Sequence, residues 1–209
     1  MNSIAAREAL ERLKEGNRRF VAGAPSLDTL TNHARRSEFV AGQEPFAVIL
    51  GCSDSRVPVE IVFDQGLGDL FVIRVAGNIV APSQIGSVEF AAERFGTRLV
   101  VVLGHTSCGA IQATLDDLQQ AGGPQSLNLG SIVARIRPSV EGLLATELRH
   151  DHDALAREAV RANVRVSADY LRHGSEVLER LIRKDGLQVV GAEYSLETGV
   201  VEFFDGVPR

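Results

Sequence analysis

The sequence has no tryptophan, a single methionine and only two cysteines in 209 residues. So few cysteines exclude a disulfide-stapled scaffold, which needs several cysteine pairs. Long hydrophobic runs are also missing, because the strongly apolar stretches 46–50 and 99–103 are much too short to cross a bilayer. Residues 1–19 are charged and contain no apolar segment typical of a signal peptide, so we expect a cytoplasmic location.

An excess of positive charge is absent as well. The chain carries 22 lysines and arginines against 27 aspartates and glutamates, which gives a net charge of −5. This balance gives no electrostatic reason to expect nucleic-acid binding. What the chain does have is 44% hydrophobic residues, enough for a sizeable core in a soluble domain.

Hydrophobic periodicity predicts an α/β fold. Apolar residues recur at helical spacing over 5–21, and shorter apolar runs alternate with helical segments in the rest of the chain. Strands are predicted at 46–51, 70–75, 98–104, 187–192 and 200–204, and further helices at 85–95, 110–120 and 154–184. This alternation is typical of a mainly parallel central sheet flanked by helices, with the last two strands antiparallel across Gly199.

Local signals divide the chain further. Ser175 is a predicted N-cap after a break at Gly174, Gly186 is a predicted helix terminator, and residues 122–124 predict a loop. We expect a single domain over 1–209, with a helical arm in 1–44 and the α/β core with its C-terminal helices in 45–209. The long polar stretch after the first helix suggests that this helix packs on a neighbouring protomer.

Both cysteines follow predicted strands. Cys52 comes directly after the first strand, while His105 and Cys108 follow the third. Functional residues of α/β sheets gather at the carboxyl ends of strands. A Cys2His set with an open fourth position suits a catalytic zinc ion, and a helix starting after Cys108 would lower the pKa of that thiol. Two buried structural cysteines and a redox pair remain the alternatives.

Two charged residues follow the first cysteine. Asp54 and Arg56 lie two residues apart in the turn after Cys52, so the Arg56 side chain can donate two hydrogen bonds to the Asp54 carboxylate and keep it ionised. Beside a metal ligand such a carboxylate can orient a bound hydroxide. The alternative is an ordinary surface salt bridge.

Two short segments contain these five residues, 51–58 (GCSDSRVP) and 104–110 (GHTSCGA). In both segments the sequence resembles the β-carbonic anhydrases. Segments 64–78, 86–90 and 13–20 are similar to that family as well, so the resemblance covers nearly the whole chain and is weakest over 120–152.

The resemblance implies reversible hydration of CO2 to bicarbonate and a proton, by attack of zinc-bound hydroxide. It implies one Zn2+ per chain on Cys52, His105 and Cys108, with Asp54 and Arg56 as the catalytic pair. In part of the family the aspartate matching Asp54 leaves its arginine and binds zinc. Family members share a dimeric core, so a homodimer or a dimer of dimers is expected.

The substrate pocket is less well defined by sequence. CO2 is small and apolar, and Gln65, Phe71, Val75 and the amide of Gly109 are the candidates to surround it, although Phe71 and Val75 also suit the core. Some family members bind regulatory bicarbonate through a tryptophan, an arginine and a tyrosine. This sequence has Ile49 at the tryptophan position, with Arg74 and Tyr194 at the others, so that site is doubtful here.

Two other functions stay open at this stage. The same fold and metal could hydrolyse CS2 or COS, which are linear analogues of CO2. A non-catalytic zinc or redox-sensing domain is the second alternative, but such a domain has no use for an aspartate and arginine beside its metal.

Overall fold

The computed structural model describes residues 4–26, 40, 42–119 and 126–207. The helices in these residues are α1 (Ala6–Val21), α2 (Val59–Val62), α3 (Pro82–Arg94), α4 (Gly109–Gln119), α5 (Leu127–Val140), α6 (His152–His173) and α7 (Glu176–Lys184). The strands are β1 (Ala47–Gly51), β2 (Leu70–Arg74), β3 (Leu99–His105), β4 (Gln188–Tyr194) and β5 (Val201–Asp205). The polar stretch over 27–39 and the predicted loop at 122–124 lie outside the described residues.

These strands form one sheet in the order β2-β1-β3-β4-β5. Neighbours from β2 to β4 are parallel, and β5 is antiparallel to β4, as predicted. The strand that follows β1 in the chain, β2, lies on one side of β1, and the next strand, β3, lies on the other side. The connections that leave the carboxyl ends of β1 and β3 therefore diverge. Such a divergence opens a crevice at the sheet edge where α/β proteins bind their ligands. The predicted fold class is confirmed.

Both faces of the sheet are buried, which explains the near-continuous apolar runs of β1 and β3. Alternate residues point to opposite faces, so Ile49 packs in one core cluster while Val48 and Leu50 pack in another. Leu10 and Leu13 of α1 belong to the first cluster and are at most 1% exposed. The apolar face of α1 therefore lies on its own sheet, and a contact of this helix with a neighbouring protomer stays a prediction.

The C-terminal helical region is divided where the sequence predicted. Ser175 Oγ accepts a hydrogen bond from the Leu178 N–H at 3.2 Å and so caps α7. Gly186 adopts a φ of 70°, and the next amide, of Leu187, donates back to the Leu181 carbonyl. Both predicted helix boundaries are confirmed. None of the helices in the described part of the chain has the length and apolarity that crossing a membrane requires.

Two helices were not predicted. The single-turn α2 has only four residues, too few for a periodic pattern. In α5 the local signals oppose a helix, because Pro138 lies within the last turns. Tertiary packing stabilises α5 through Ile136 and Val140, which are buried in the apolar cluster beneath the site described next.

Candidate metal centre

The first component of the site is the turn that leaves β1. Cys52 follows the last residue of β1 and is 4% exposed. Arg74, the last residue of β2, donates from Nε to the Cys52 carbonyl at 3.0 Å and from Nη2 to the Asp54 carbonyl at 2.6 Å. The backbone of this turn is therefore held from the neighbouring strand.

Within this turn, Asp54 and Arg56 form the predicted pair. Arg56 donates from Nε to Asp54 Oδ1 at 3.0 Å and from Nη2 to Oδ2 at 2.7 Å, and its backbone N–H also donates to Oδ1. These hydrogen bonds, led by those of the guanidinium, hold the pKa of Asp54 well below its usual range, and the carboxylate raises the pKa of Arg56 in return. Asp54 is thus ionised at any ordinary pH.

His105 is the last residue of β3 and is fully buried. Its Nδ1 lies 2.9 Å from the Thr106 carbonyl oxygen, an acceptor only, so this nitrogen carries the proton. The other ring nitrogen, Nε2, then presents a lone pair, and it has no hydrogen-bond partner among the described residues. A buried imidazole nitrogen with a free lone pair is the form that binds a metal ion.

Cys108 lies just before α4, as predicted. The turn leading to it passes through Ser107, which has a φ of 56°, and the amides of Ala110 and Ile111 act to lower the pKa of the Cys108 thiol. However, a hydrogen bond to Cys52 and burial outweigh these amides, so the pKa of Cys108 is raised. The helix N-terminus therefore acts on this thiol in the predicted direction, although the neighbouring Cys52 and burial have the larger effect.

It is Cys52 whose pKa is lowered. The thiol of Cys108 donates to its sulfur, and the backbone amides near Asp54 and Gly77 add further stabilisation of the thiolate. These hydrogen bonds favour the thiolate form of Cys52, and binding of a dication would release any proton that the pair still carries.

The sulfur atoms of Cys52 and Cys108 and a ring nitrogen of His105 lie within 4.8 Å of one another. One cation can contact all three, and two sulfurs with one imidazole nitrogen form a donor set that zinc prefers. Asp54 Oδ2 is 3.9 Å from His105 Nε2, beside this group but turned to Arg56. The residues present therefore fit a zinc ion.

The site borders a cavity of about 730 Å³. Arg56, Cys108 and Gly109 line one side of it, while His152 and Glu197 contribute from elsewhere in the fold. A bound ion at the three donors would thus lie next to a space that admits small molecules.

The predicted pocket residues are distributed unevenly. Gly109 lines this cavity, and Val75 packs against the apolar cluster that contains both cysteines. Phe71 instead stacks with the rings of Phe90 and Phe95. Gln65 is buried away from the donors, with hydrogen bonds to Arg12 and to the Phe63 carbonyl. Its place in a substrate pocket stays a prediction, as do those of the other three residues.

The three positions matching the regulatory bicarbonate site do not come together as free ligands in this chain. Ile49 is fully buried in the core, Arg74 is bonded to the turn of Cys52, and the Tyr194 ring lies 6.5 Å from that of Phe20. The sequence reasoning also missed a contact to the metal centre, because the Gly77 amide donates to Cys52 Sγ at 3.3 Å. Gly77 follows β2, and its position after a strand was the available signal.

Comparison with known proteins matches these features. A family model described as carbonic anhydrase matches residues 47–201, which is most of the chain. Carbonic anhydrase 2 of Mycobacterium tuberculosis is 40% identical over 201 residues, which cover 95% of this chain and 91% of the relative.

The chain belongs to the β-carbonic anhydrase family. Solved structures of the family agree with this assignment. The β-carbonic anhydrase CafA of Aspergillus fumigatus superposes with a TM-score of 0.75 at 27% identity, covering 87% of this chain and 86% of that one. One of two tetrameric β-carbonic anhydrases of Sordaria macrospora shares the fold with a TM-score of 0.74 at 22% identity, covering 94% and 97%. By family and fold, the chain is a carbonic anhydrase enzyme.

Proposed function

We propose that this chain hydrates CO2 reversibly to bicarbonate and a proton at one Zn2+ held by Cys52, His105 and Cys108. The observation that carries the proposal is the convergence of two sulfurs and a ring nitrogen of His105 within 4.8 Å, in a chain of the carbonic anhydrase family. Zinc in such a site supplies Lewis acidity that lowers the pKa of water to about 7 and so provides a nucleophile for CO2.

Asp54 orients that nucleophile in this proposal. Its carboxylate is kept ionised by Arg56, so it accepts a hydrogen bond and does not act as a general base near neutral pH. The two hydrogen bonds from Arg56 fix the direction of the carboxylate beside His105 Nε2. Fixed hydrogen-bond partners of this kind lower activation barriers because they need no rearrangement during the reaction.

A homodimer or a dimer of dimers is the proposed assembly. The Sordaria macrospora enzymes with the same fold are tetrameric. A cytoplasmic location stays part of this proposal, since it follows from the sequence alone.

Metal analysis together with stopped-flow CO2 hydration tests the function. We expect about one zinc per chain and rapid hydration by the wild type, and loss of both in Cys108→Ser, because an alcohol is a much poorer zinc ligand than a thiolate. Thermal unfolding of both proteins establishes that the variant still folds. Rapid hydration by Cys108→Ser without bound metal would contradict the proposal.

The same samples distinguish the alternative substrates. Sulfide release from CS2 and COS is measured beside CO2 hydration under identical conditions. We expect hydration of CO2 to dominate, and a preference for the sulfur compounds would replace the proposed substrate while keeping the metal centre.

A further inference from the structure

A backbone turn supports the metal centre from the side of β2. The turn Ala76–Asn78 follows that strand, and the Gly77 amide donates to Cys52 Sγ at 3.3 Å in the buried interior. A hydrogen bond to a thiolate stabilises its negative charge and reduces the charge that the sulfur donates to a bound cation. Side chains that hold this turn in place therefore also influence Cys52, a proposed metal ligand.

The turn has a conformation that needs external support. Gly77 has a φ of 68°, and Asn78, which is not a glycine, has a φ of 43°. Two successive residues in the left-handed region are unfavourable unless the surroundings hold them. Space is also restricted, because a Cβ on Gly77 would lie 2.8 Å from Ile136 Cδ1.

Two buried side chains of α6 supply that support. Asn163 Nδ2 donates to the Gly77 carbonyl at 2.8 Å, and Ser167 Oγ donates to the Asn78 carbonyl at 3.1 Å. Both side chains are at most 3% exposed and lie four residues apart, on one face of the helix. With both carbonyls held, the two peptide units that follow the Gly77 N–H cannot rotate freely, which limits movement of that N–H away from Cys52.

We propose that Asn163 and Ser167 are positioning residues of the metal centre. They lie 86 and 89 residues along the chain from the carbonyls they bind, and they act on Cys52 only through the Gly77 amide. This inference rests on the proposed function, because it assumes that Cys52 binds the metal. Their role is to keep one thiolate hydrogen-bonded, which sets how tightly it holds the ion and how much charge it donates.

The experiment compares Asn163→Leu and Ser167→Ala with the wild type in the full chain. Zinc affinity is measured by competition with a chromophoric chelator, and the sulfur-to-metal charge-transfer band is recorded after substitution with Co2+. We expect each variant to bind zinc about tenfold or more weakly, because the Cys52 sulfur is then no longer held in place for the ion and this loss outweighs the larger charge that it donates. The band should move to longer wavelength, because a sulfur without its hydrogen bond has lone pairs of higher energy.

Two further variants separate positioning from general stability. Thr97 Oγ1 also donates to a buried backbone carbonyl, that of Pro45, at the opposite end of the sheet. Thr97→Val should lower the unfolding temperature without changing zinc affinity or the Co2+ band. Ser167→Thr restores a hydroxyl and should return both readouts toward the wild type.

Ser167→Ala decides the matter if Asn163→Leu does not fold, because it removes a single oxygen atom. Wild-type zinc affinity and an unshifted band in Ser167→Ala would overturn the inference. A wild type that binds Zn2+ no better than Cys52→Ser would overturn the proposed metal centre and this inference with it. Normal binding by the wild type with unchanged variants overturns this inference alone.

Discussion

The two ends of the parallel strands differ in what their residues do. At the carboxyl end, the turns contain left-handed backbone at Asn78 and Ser107 and direct donor atoms toward one point. At the amino end the contacts are ordinary, such as the hydrogen bond from Thr97 Oγ1 to the Pro45 carbonyl. Two of the three non-glycine residues with positive φ in the described part of the chain thus lie where the chemistry is proposed, and the third, Asp64, lies in the connection that leads into β2. Substitutions at the two ends should therefore separate activity from stability.

The largest expected effect is on the carboxylate at the carboxyl end. Asp54→Asn keeps the shape of the side chain but removes its charge, and an amide cannot be oriented by Arg56 in the same way. We expect kcat for CO2 hydration to fall by about 10²–10³-fold, with zinc content unchanged. Stopped-flow kinetics and metal analysis measure the two quantities.

A matched control for this variant lies on β5. Asp205 also pairs with an arginine, Arg172, at 2.6 Å, and its side chain is about as exposed as that of Asp54. Asp205→Asn should leave hydration unaffected. Equal losses of activity in the two variants would mean that the carboxyl end has no special role.

The second effect tests the opposite end of the sheet. Leu99 is the first residue of β3 and is fully buried. Leu99→Ala leaves a cavity and should lower the free energy of unfolding by about 2–5 kcal/mol, as measured by denaturant titration. The folded variant should keep the wild-type kcat, because the donors lie at the other end of the strand. A fall in kcat without a loss of stability would contradict the proposal that residues at the amino end of the sheet stabilise the fold and leave activity unchanged.

The smallest effect concerns pH. The folded pKa of Asp54 is depressed by Arg56, so the pair contributes stability that is present above the unfolded pKa of about 3.9 and is lost as the pH falls through the folded value. The stability difference between the wild type and Asp54→Asn should thus be constant from neutral pH to about pH 4 and should shrink in stronger acid. Denaturant titrations at several pH values measure it, and a difference that shrinks already near pH 6 would contradict the lowered pKa.

Much of the fold was predictable because its signals are local. Buried parallel strands give continuous apolar runs, and a capping serine or a terminating glycine acts within a few residues, so β1, β3 and the break at Ser175 were found from sequence. The helix α5 was not, because its residues oppose a helix locally and only burial of Ile136 and Val140 stabilises it.

The positions of the metal-binding residues were also predictable from the sequence. The meeting of Cys52 with His105 and Cys108 follows from their positions after parallel strands, whose carboxyl ends share an edge of the sheet. The hydrogen bond to Cys52 did not follow, because the Gly77 amide reaches its sulfur only in the folded chain.

The sequence by itself determined the fold class, the three converging donors and the aspartate–arginine pair, since each depends on residues close in the chain or on strand order. Only the tertiary structure decided which sulfur receives the Gly77 amide, where Arg74 bonds, and that Asn163 and Ser167 hold the turn of Gly77. These contacts join positions as far as 89 residues apart. No local sequence pattern predicts which distant residues will be hydrogen-bonded, because these bonds form only after the core has brought the segments together.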